Sequence, residues 1–220
     1  MPQELAELGK LAELFRRSVV PSPLLIMLAG SNGTGKSTFY DAYLDSLGLP
    51  FINADRIGEE LRSGSRLLPP QLSNLALDQA AQRIADEERQ ANIVLRRSFV
   101  TETVLSDPVG AKVAMLNDAR GRGYEVWLFF IGISSPELSR ARVHERVSSR
   151  GGHGVPADKI KARYVRTLAN LPGATEAASI AILLDNDLAE APYRFVALFE
   201  RGTLVRSSEL APEWAKAVLR

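Results

Sequence analysis

Apolar residues in this chain alternate between short unbroken runs and longer stretches where they recur every three or four positions. Leu24–Ala29 (LLIMLA) is an apolar run of strand length. Tyr124–Ile133 (YEVWLFFIGI) is apolar almost throughout, the pattern of a strand buried on both faces. Pro50–Asp55 predicts a short strand ending in a carboxylate, Arg97–Thr103 a further strand, and Ile180–Leu184 one that runs into Asp185-Asn186-Asp187. Phe195–Val205 predicts a hairpin turning at Arg201-Gly202. Between these lie helical patterns at Ser37–Leu47, Leu72–Ala91, about Pro108–Arg120 and Ser135–Ser149, and a further one starting near Pro156. An amphipathic segment at Leu5–Arg17 precedes the first strand, and Pro212–Leu219 predicts a short closing helix.

The alternation predicts an α/β fold: a parallel sheet of about five strands with helices on both faces, a helical lid and a C-terminal hairpin. A length of 220 residues suits a single domain over residues 1–220, with an N-terminal helix in 1–20 and the lid helices in 135–170. In such a sheet ligands bind at the carboxyl ends of the strands.

Composition narrows the class. A net charge of +1 gives no global field toward nucleic acid or an anionic membrane. The absence of cysteine excludes disulfides and thiolate metal sites. No apolar run approaches the length of a membrane span, and the acidic N-terminus lacks the pattern of a signal peptide, so the expected location is the cytoplasm.

The string after the first strand carries the chemistry. Gly30-Ser31-Asn32-Gly33-Thr34-Gly35-Lys36-Ser37 fits G-x-x-x-x-G-K-[ST] without a gap, and Thr38 follows. Glycines at this spacing let backbone N–H groups turn around phosphate oxygens at a helix start. Lys36 is expected to reach the β- and γ-phosphates and Ser37 to ligate Mg²⁺, with ATP as the nucleotide. Asp55, at the end of the second predicted strand, is the candidate general base, a helix N-cap being its other reading. Glu102 stands in an otherwise apolar and hydroxylated strand beside Thr103. A carboxylate there could hold an acceptor hydroxyl, organise Mg²⁺ through water, or pair with an arginine.

Arginine outnumbers lysine 21 to 6, and six arginines fall between Arg140 and Arg166. Arg142, Arg146 and Arg150 recur at four-residue steps, as candidates to neutralise a transferring phosphoryl group from a closing lid. Arg163 and Arg166 occupy the next helix. His153, in Gly151-Gly152-His153-Gly154 between the two helices, is a candidate substrate contact or a loop-shaping residue.

In combination, Ala29–Thr38, Phe51–Ile57 (FINADRI), Phe99–Leu105 (FVTETVL), Gly123–Pro136 and Gly151–Pro156 resemble the zeta-toxin family of small kinases, over about residues 24–190. The resemblance implies a P-loop kinase core and ATP-dependent phosphorylation of a sugar hydroxyl, on UDP-N-acetylglucosamine in the toxins. It puts the phosphate loop on Gly30–Thr38, the catalytic aspartate on Asp55, the acceptor-binding carboxylate on Glu102 with Thr103 beside it, and the lid arginines in Arg140–Arg150. It also implies an antitoxin protein as a partner. The Gly-Gly-His-Gly lid departs from the toxins and leaves the acceptor open, with a nucleoside, nucleotide or metabolite kinase, or a nucleotide-dependent switch, as the alternatives.

Overall fold

The computed structural model of the protein describes residues 22–150, with the Arg150 side chain excepted, and residues 156–219. The predicted helix at Leu5–Arg17 and the candidate His153 lie outside the described residues.

Strand β1 is Leu24–Ala29, and helix α1 opens at Lys36–Phe39. Strand β2 is only Phe51–Ile52, followed by α2 (Ala54–Ser63) and α3 (Leu77–Val94). Then come β3 (Phe99–Thr103), α4 (Ala111–Gly121), β4 (Glu125–Gly132), α5 (Pro136–Arg150) and α6 (Ala157–Ala177). Strands β5 (Ile180–Asp185), β6 (Arg194–Glu200) and β7 (Thr203–Ser207) complete one sheet in the order β2-β3-β1-β4-β5-β6-β7. The first five strands are parallel, and β6 and β7 are added antiparallel at the far edge. From β1 the chain passes to β2 and β3 on one side and then crosses to β4 on the other, so the crevice of this sheet opens at the carboxyl end of β1.

Period-two alternation along β1 divides the core. Leu25, Met27 and Ala29 join a cluster with Ile57, Ala80, Ile84, Leu116, Leu171 and Trp214, contributed by α2, α3, α4, α6 and the C-terminal segment. Ile26 and Leu28 face the opposite side, where Phe39, Tyr40 and Leu44 pack with Phe129, Ile131 and Tyr193. Val126–Gly132 of β4 are buried throughout, as a central parallel strand requires.

The helix expected at Ser37–Leu47 is not one regular helix. The α-helical turn gives way to a π-helical turn at Tyr40–Leu44 and a 3₁₀ turn at Asp45–Leu47. The wider turn suits two consecutive aromatic residues that both face the sheet. Phe39 lies 5.4 Å from the Phe129 ring, while Tyr40 stacks on Phe51 at 3.6 Å. The predicted closing helix is reduced to the 3₁₀ turn Glu213–Ala215. It carries Trp214 to Gly132, where a Cβ would fall 2.3 Å from the indole.

Candidate active site

The phosphate loop is shaped by what surrounds it. Gly30 has φ +147°, and a Cβ there would lie 2.2 Å from the Ile131 carbonyl oxygen of the adjacent strand, so only glycine fits as the chain leaves β1. Three loop carbonyls are then tied outward. Ser139 Oγ donates to Asn32 O at 2.6 Å, Asn186 Nδ2 to Thr34 O at 2.9 Å, and Tyr193 Oη to Gly35 O at 2.9 Å. In trans peptides the following N–H points opposite to the carbonyl, so the N–H groups of Gly33, Gly35 and Lys36 are turned toward the inside of the loop. The Asn32 carboxamide oxygen is buried there with no hydrogen-bond partner among the described residues. The inward ring of amides fits a bound polyphosphate.

Lys36 is buried, and its ammonium donates to Ser31 O at 2.9 Å and lies 3.7 Å from Glu102 Oε1. Burial pulls its pKa below the ordinary lysine value and Arg146 pulls in the same direction, while the Glu102 and Asp55 carboxylates oppose them.

Glu102 is the hub of the site. From the C-terminal end of β3 its Oε2 accepts from Ser37 Oγ at 3.0 Å and from Asn53 Nδ2 at 2.8 Å. The carboxylate thus joins the phosphate loop to the end of β2. Thr103 beside it accepts from Leu105 N at 3.1 Å, shaping the turn where Leu105 takes a positive φ.

Asp55 lies not at a strand end but in the first turn of α2. Strand β2 stops at Ile52, and Asn53 is the N-cap, its Oδ1 accepting from Asp55 N at 2.8 Å and Arg56 N at 3.3 Å. This leaves the Asp55 carboxylate exposed at the mouth of the cleft, within electrostatic reach of Lys36. Arg56 is held away, paired with Asp41 at 2.7 Å over the Phe51 ring.

Helix α5 starts as predicted, with Ser135 Oγ accepting from Leu138 N at 3.1 Å. Its arginines separate in role. Arg142 donates to Asn186 O at 2.7 Å and Asp187 O at 2.9 Å, so its guanidinium is committed to the turn after β5. Arg146 is exposed and acts on Lys36 through its charge. In α6, Arg166 donates to Ser106 O at 2.8 Å.

Several positions in this arrangement were not singled out from the sequence: Asn53, Ser139, Asn186 and Tyr193. Only Asn53 carried a local signal, an Asx residue just before a helical pattern. Asn186 and Tyr193 reach the loop from more than 150 residues away, through the topology alone. Among the described residues, no cluster of three or more His, Asp or Glu is placed to hold a metal by itself, and no helix is long and apolar enough to cross a membrane.

The sheet order and the loop at the end of β1 define a P-loop kinase-like α/β protein. A sequence model of the zeta toxin family matches residues 10–187, and the chain belongs to that family. Over 139 residues it is 32% identical to an uncharacterized protein of Haemophilus influenzae, covering 63% of this chain and 91% of that protein. The crystal structure of AvrRxo1-ORF1:-ORF2 with ATP is similar at a TM-score of 0.65 and 17% identity, over 89% of this chain and 62% of that chain. A structure from the PezAT chromosomal toxin-antitoxin system of Streptococcus pneumoniae matches at a TM-score of 0.55 and 16% identity, over 97% of this chain and 84% of that one. At these identities the structural likeness is one of fold.

Proposed function

We propose that the chain is an ATP-dependent kinase that transfers the γ-phosphoryl group to a hydroxyl of a small molecule, with a nucleotide sugar such as UDP-N-acetylglucosamine as the leading acceptor. The observation that carries this reading is the Glu102 carboxylate bonded at once to Ser37 of the phosphate loop and Asn53 of the α2 cap. A protein that only binds nucleotide has no need to join its phosphate loop, through Glu102, to the cap of the helix that presents the exposed Asp55. ATP as donor is further supported by the AvrRxo1 complex, which was crystallised with it.

In this reading the inward amides and Lys36 hold the β- and γ-phosphates, and Asp55 takes the proton of the attacking hydroxyl. Glu102 keeps the Ser37 hydroxyl and the Asn53 cap in fixed relation, so donor and acceptor sides stay in register. Arg146, with Arg150 one turn on, supplies positive charge against the phosphoryl group as it transfers, and Thr103 and His153 contribute on the acceptor side. Magnesium fits the exposed Ser37 hydroxyl beside Glu102, since this ion is held mainly by phosphate oxygens and water with few protein ligands. When bound, it neutralises charge on the phosphates. An antitoxin partner rests on the likeness to the PezAT system, and cytoplasmic location and a single domain over residues 1–220 complete the proposal.

The test is ADP formation from Mg·ATP across a panel of nucleotide sugars, nucleosides and metabolites. One acceptor should stimulate it strongly, and Asp55→Asn should abolish that stimulation while ATP still binds. Slow, equal ADP release with every compound would overturn the reading in favour of a nucleotide-dependent switch.

A further inference from the structure

Arg89 of α3 is buried to 2% exposure although its helix packs on the sheet mainly through alanines and isoleucines. Its three nitrogens are all engaged. Nε donates to Thr101 Oγ1 at 2.7 Å, one terminal nitrogen to Glu102 O at 3.1 Å, and the other to Asp86 Oδ1 at 2.7 Å. Asp86 is half exposed and also pairs with Lys112. Because Thr101 accepts from Arg89, its single hydroxyl proton is directed elsewhere, and it goes to Ile52 O at 3.1 Å. Ile52 is the last residue of a two-residue edge strand, immediately before the Asn53 cap.

A buried cation of this kind is weak evidence for stability, since apolar residues of similar volume often serve as well or better. What a planar fork can do, and an apolar side chain cannot, is fix several backbone positions at once. Two of the three bonds here end on consecutive residues of β3, and the relay through Thr101 reaches the end of β2.

We propose that Arg89 is a positioning residue, a buried brace that sets the ends of β2 and β3 against each other. It thereby fixes Glu102 and the Asn53-capped turn that carries Asp55. That these two carboxylates act in phosphoryl transfer rests on the kinase reading above; the brace itself does not.

The test is hydrogen exchange on the full chain, read peptide by peptide, for Arg89→Met, Arg89→Lys and Thr101→Val. Arg89→Met should speed exchange about tenfold or more in residues 51–57 and 100–105 and leave 24–29 and 126–132 unchanged. Arg89→Lys, with one compact donor group, should restore part of that protection. Thr101→Val removes the relay to Ile52 and the Arg89 Nε bond but leaves Arg89 on Glu102 O, so it should loosen 51–57 more than 100–105. Unchanged exchange in both segments, or a uniform rise along the chain, would overturn the proposal. Should Arg89→Met fail to fold, the segment-selective effect of Thr101→Val decides in its place. In parallel, Mg·ATP turnover with UDP-N-acetylglucosamine as probe should fall about 100-fold in Arg89→Met, the scale of a 1 Å misplacement, with affinity for a fluorescent ATP analogue within about threefold. A wild-type chain that turns over ATP with no acceptor would sink the kinase reading, and the exchange pattern would still decide the role of Arg89.

Discussion

The Ser37 hydroxyl and the Glu102 carboxylate, 65 positions apart in sequence, meet at 3.0 Å, and Glu102 also lies 3.7 Å from the Lys36 ammonium. The parallel pairing of β1 with β3 makes the contact, since Leu28 is level with Glu102 and the phosphate loop leaves β1 one residue later. Donor-side chemistry is thus tied to the strand next to β1, and through Asn53 to the strand beyond it.

Glu102→Gln is the sharpest probe of that contact. The amide keeps the shape and removes the charge that counters the burial of Lys36, so the Lys36 pKa should fall further below its ordinary value. The ammonium is then lost at lower pH. Affinity for a fluorescent ATP analogue, titrated from neutral to alkaline pH, should therefore weaken earlier in the variant than in the wild type. Acceptor-stimulated turnover at neutral pH should drop by about 10²-fold or more. An unshifted alkaline limb would mean that Glu102 does not govern Lys36.

Asp55→Asn should separate chemistry from folding. The carboxylate is exposed in the first turn of α2, where its interaction with the helix dipole contributes about 0.3–1 kcal/mol. The cap itself is Asn53 and stays intact. Thermal melting should move by no more than about 2–4 °C for a chain of this size. Phosphoryl transfer to the stimulating acceptor should be lost, with ATP affinity unchanged.

Gly35→Ala tests how the loop is clamped. Gly35 has φ +86°, and a Cβ there would lie 2.7 Å from Asn186 Nδ2 and 3.1 Å from Tyr193 Oη. Left-handed backbone costs a residue with a Cβ about 1–2 kcal/mol. Moving Asn186 aside also breaks its bond to Thr34 O. The variant should melt measurably lower and bind ATP more weakly, whereas Gly48→Ala, with open space around its Cβ and a similar positive φ, should cost stability alone.

The sheet and the loop were legible in the sequence because each has a local cause. LLIMLA and YEVWLFFIGI are apolar runs with one sensible fate, and G-x-x-x-x-G-K-S is a fixed backbone device. Asp55 was legible as a candidate but its setting was not. Ile52-Asn53-Ala54-Asp55 reads equally well as a strand running on or as a helix starting, and pairing with β3 ends the strand at Ile52. The lid arginines were visible as a four-residue repeat, yet periodicity alone could not tell Arg142, fixed to two carbonyls, from Arg146. Of the outward ties on the loop, Asn186 lies in a run visible at the end of a predicted strand, but neither it nor Tyr193 carried a local sign of the contact itself. These ties come from the sheet order β1-β4-β5-β6, which brings the segment between β5 and β6 to the loop that follows β1.

Tyr193 gives those outward ties a titratable member. Burial pushes its pKa up to about 12, with Tyr43 acting in the same direction, and the phenol stays neutral while it donates to Gly35 O. The sign of the consequence follows from linkage. The unfolded chain releases this proton near the ordinary value of 10.0 and the folded chain holds it to about 12, so across that interval the unfolded state binds fewer protons and stability falls as pH rises. Tyr164 is raised to about 12 as well, so the wild type alone cannot isolate the effect. Tyr193→Phe can. At neutral pH it loses one donor to a carbonyl that keeps its bond from Phe39 N, a cost of about 0.5–1.5 kcal/mol, with ATP affinity reduced as the loop loosens. Toward pH 12 the stability gap between wild type and variant should close, since the wild type alone carries the ionising phenol. Denaturant melts of both proteins at pH 8 and above pH 10 measure the gap, and one that stays constant would remove Tyr193 from the clamp.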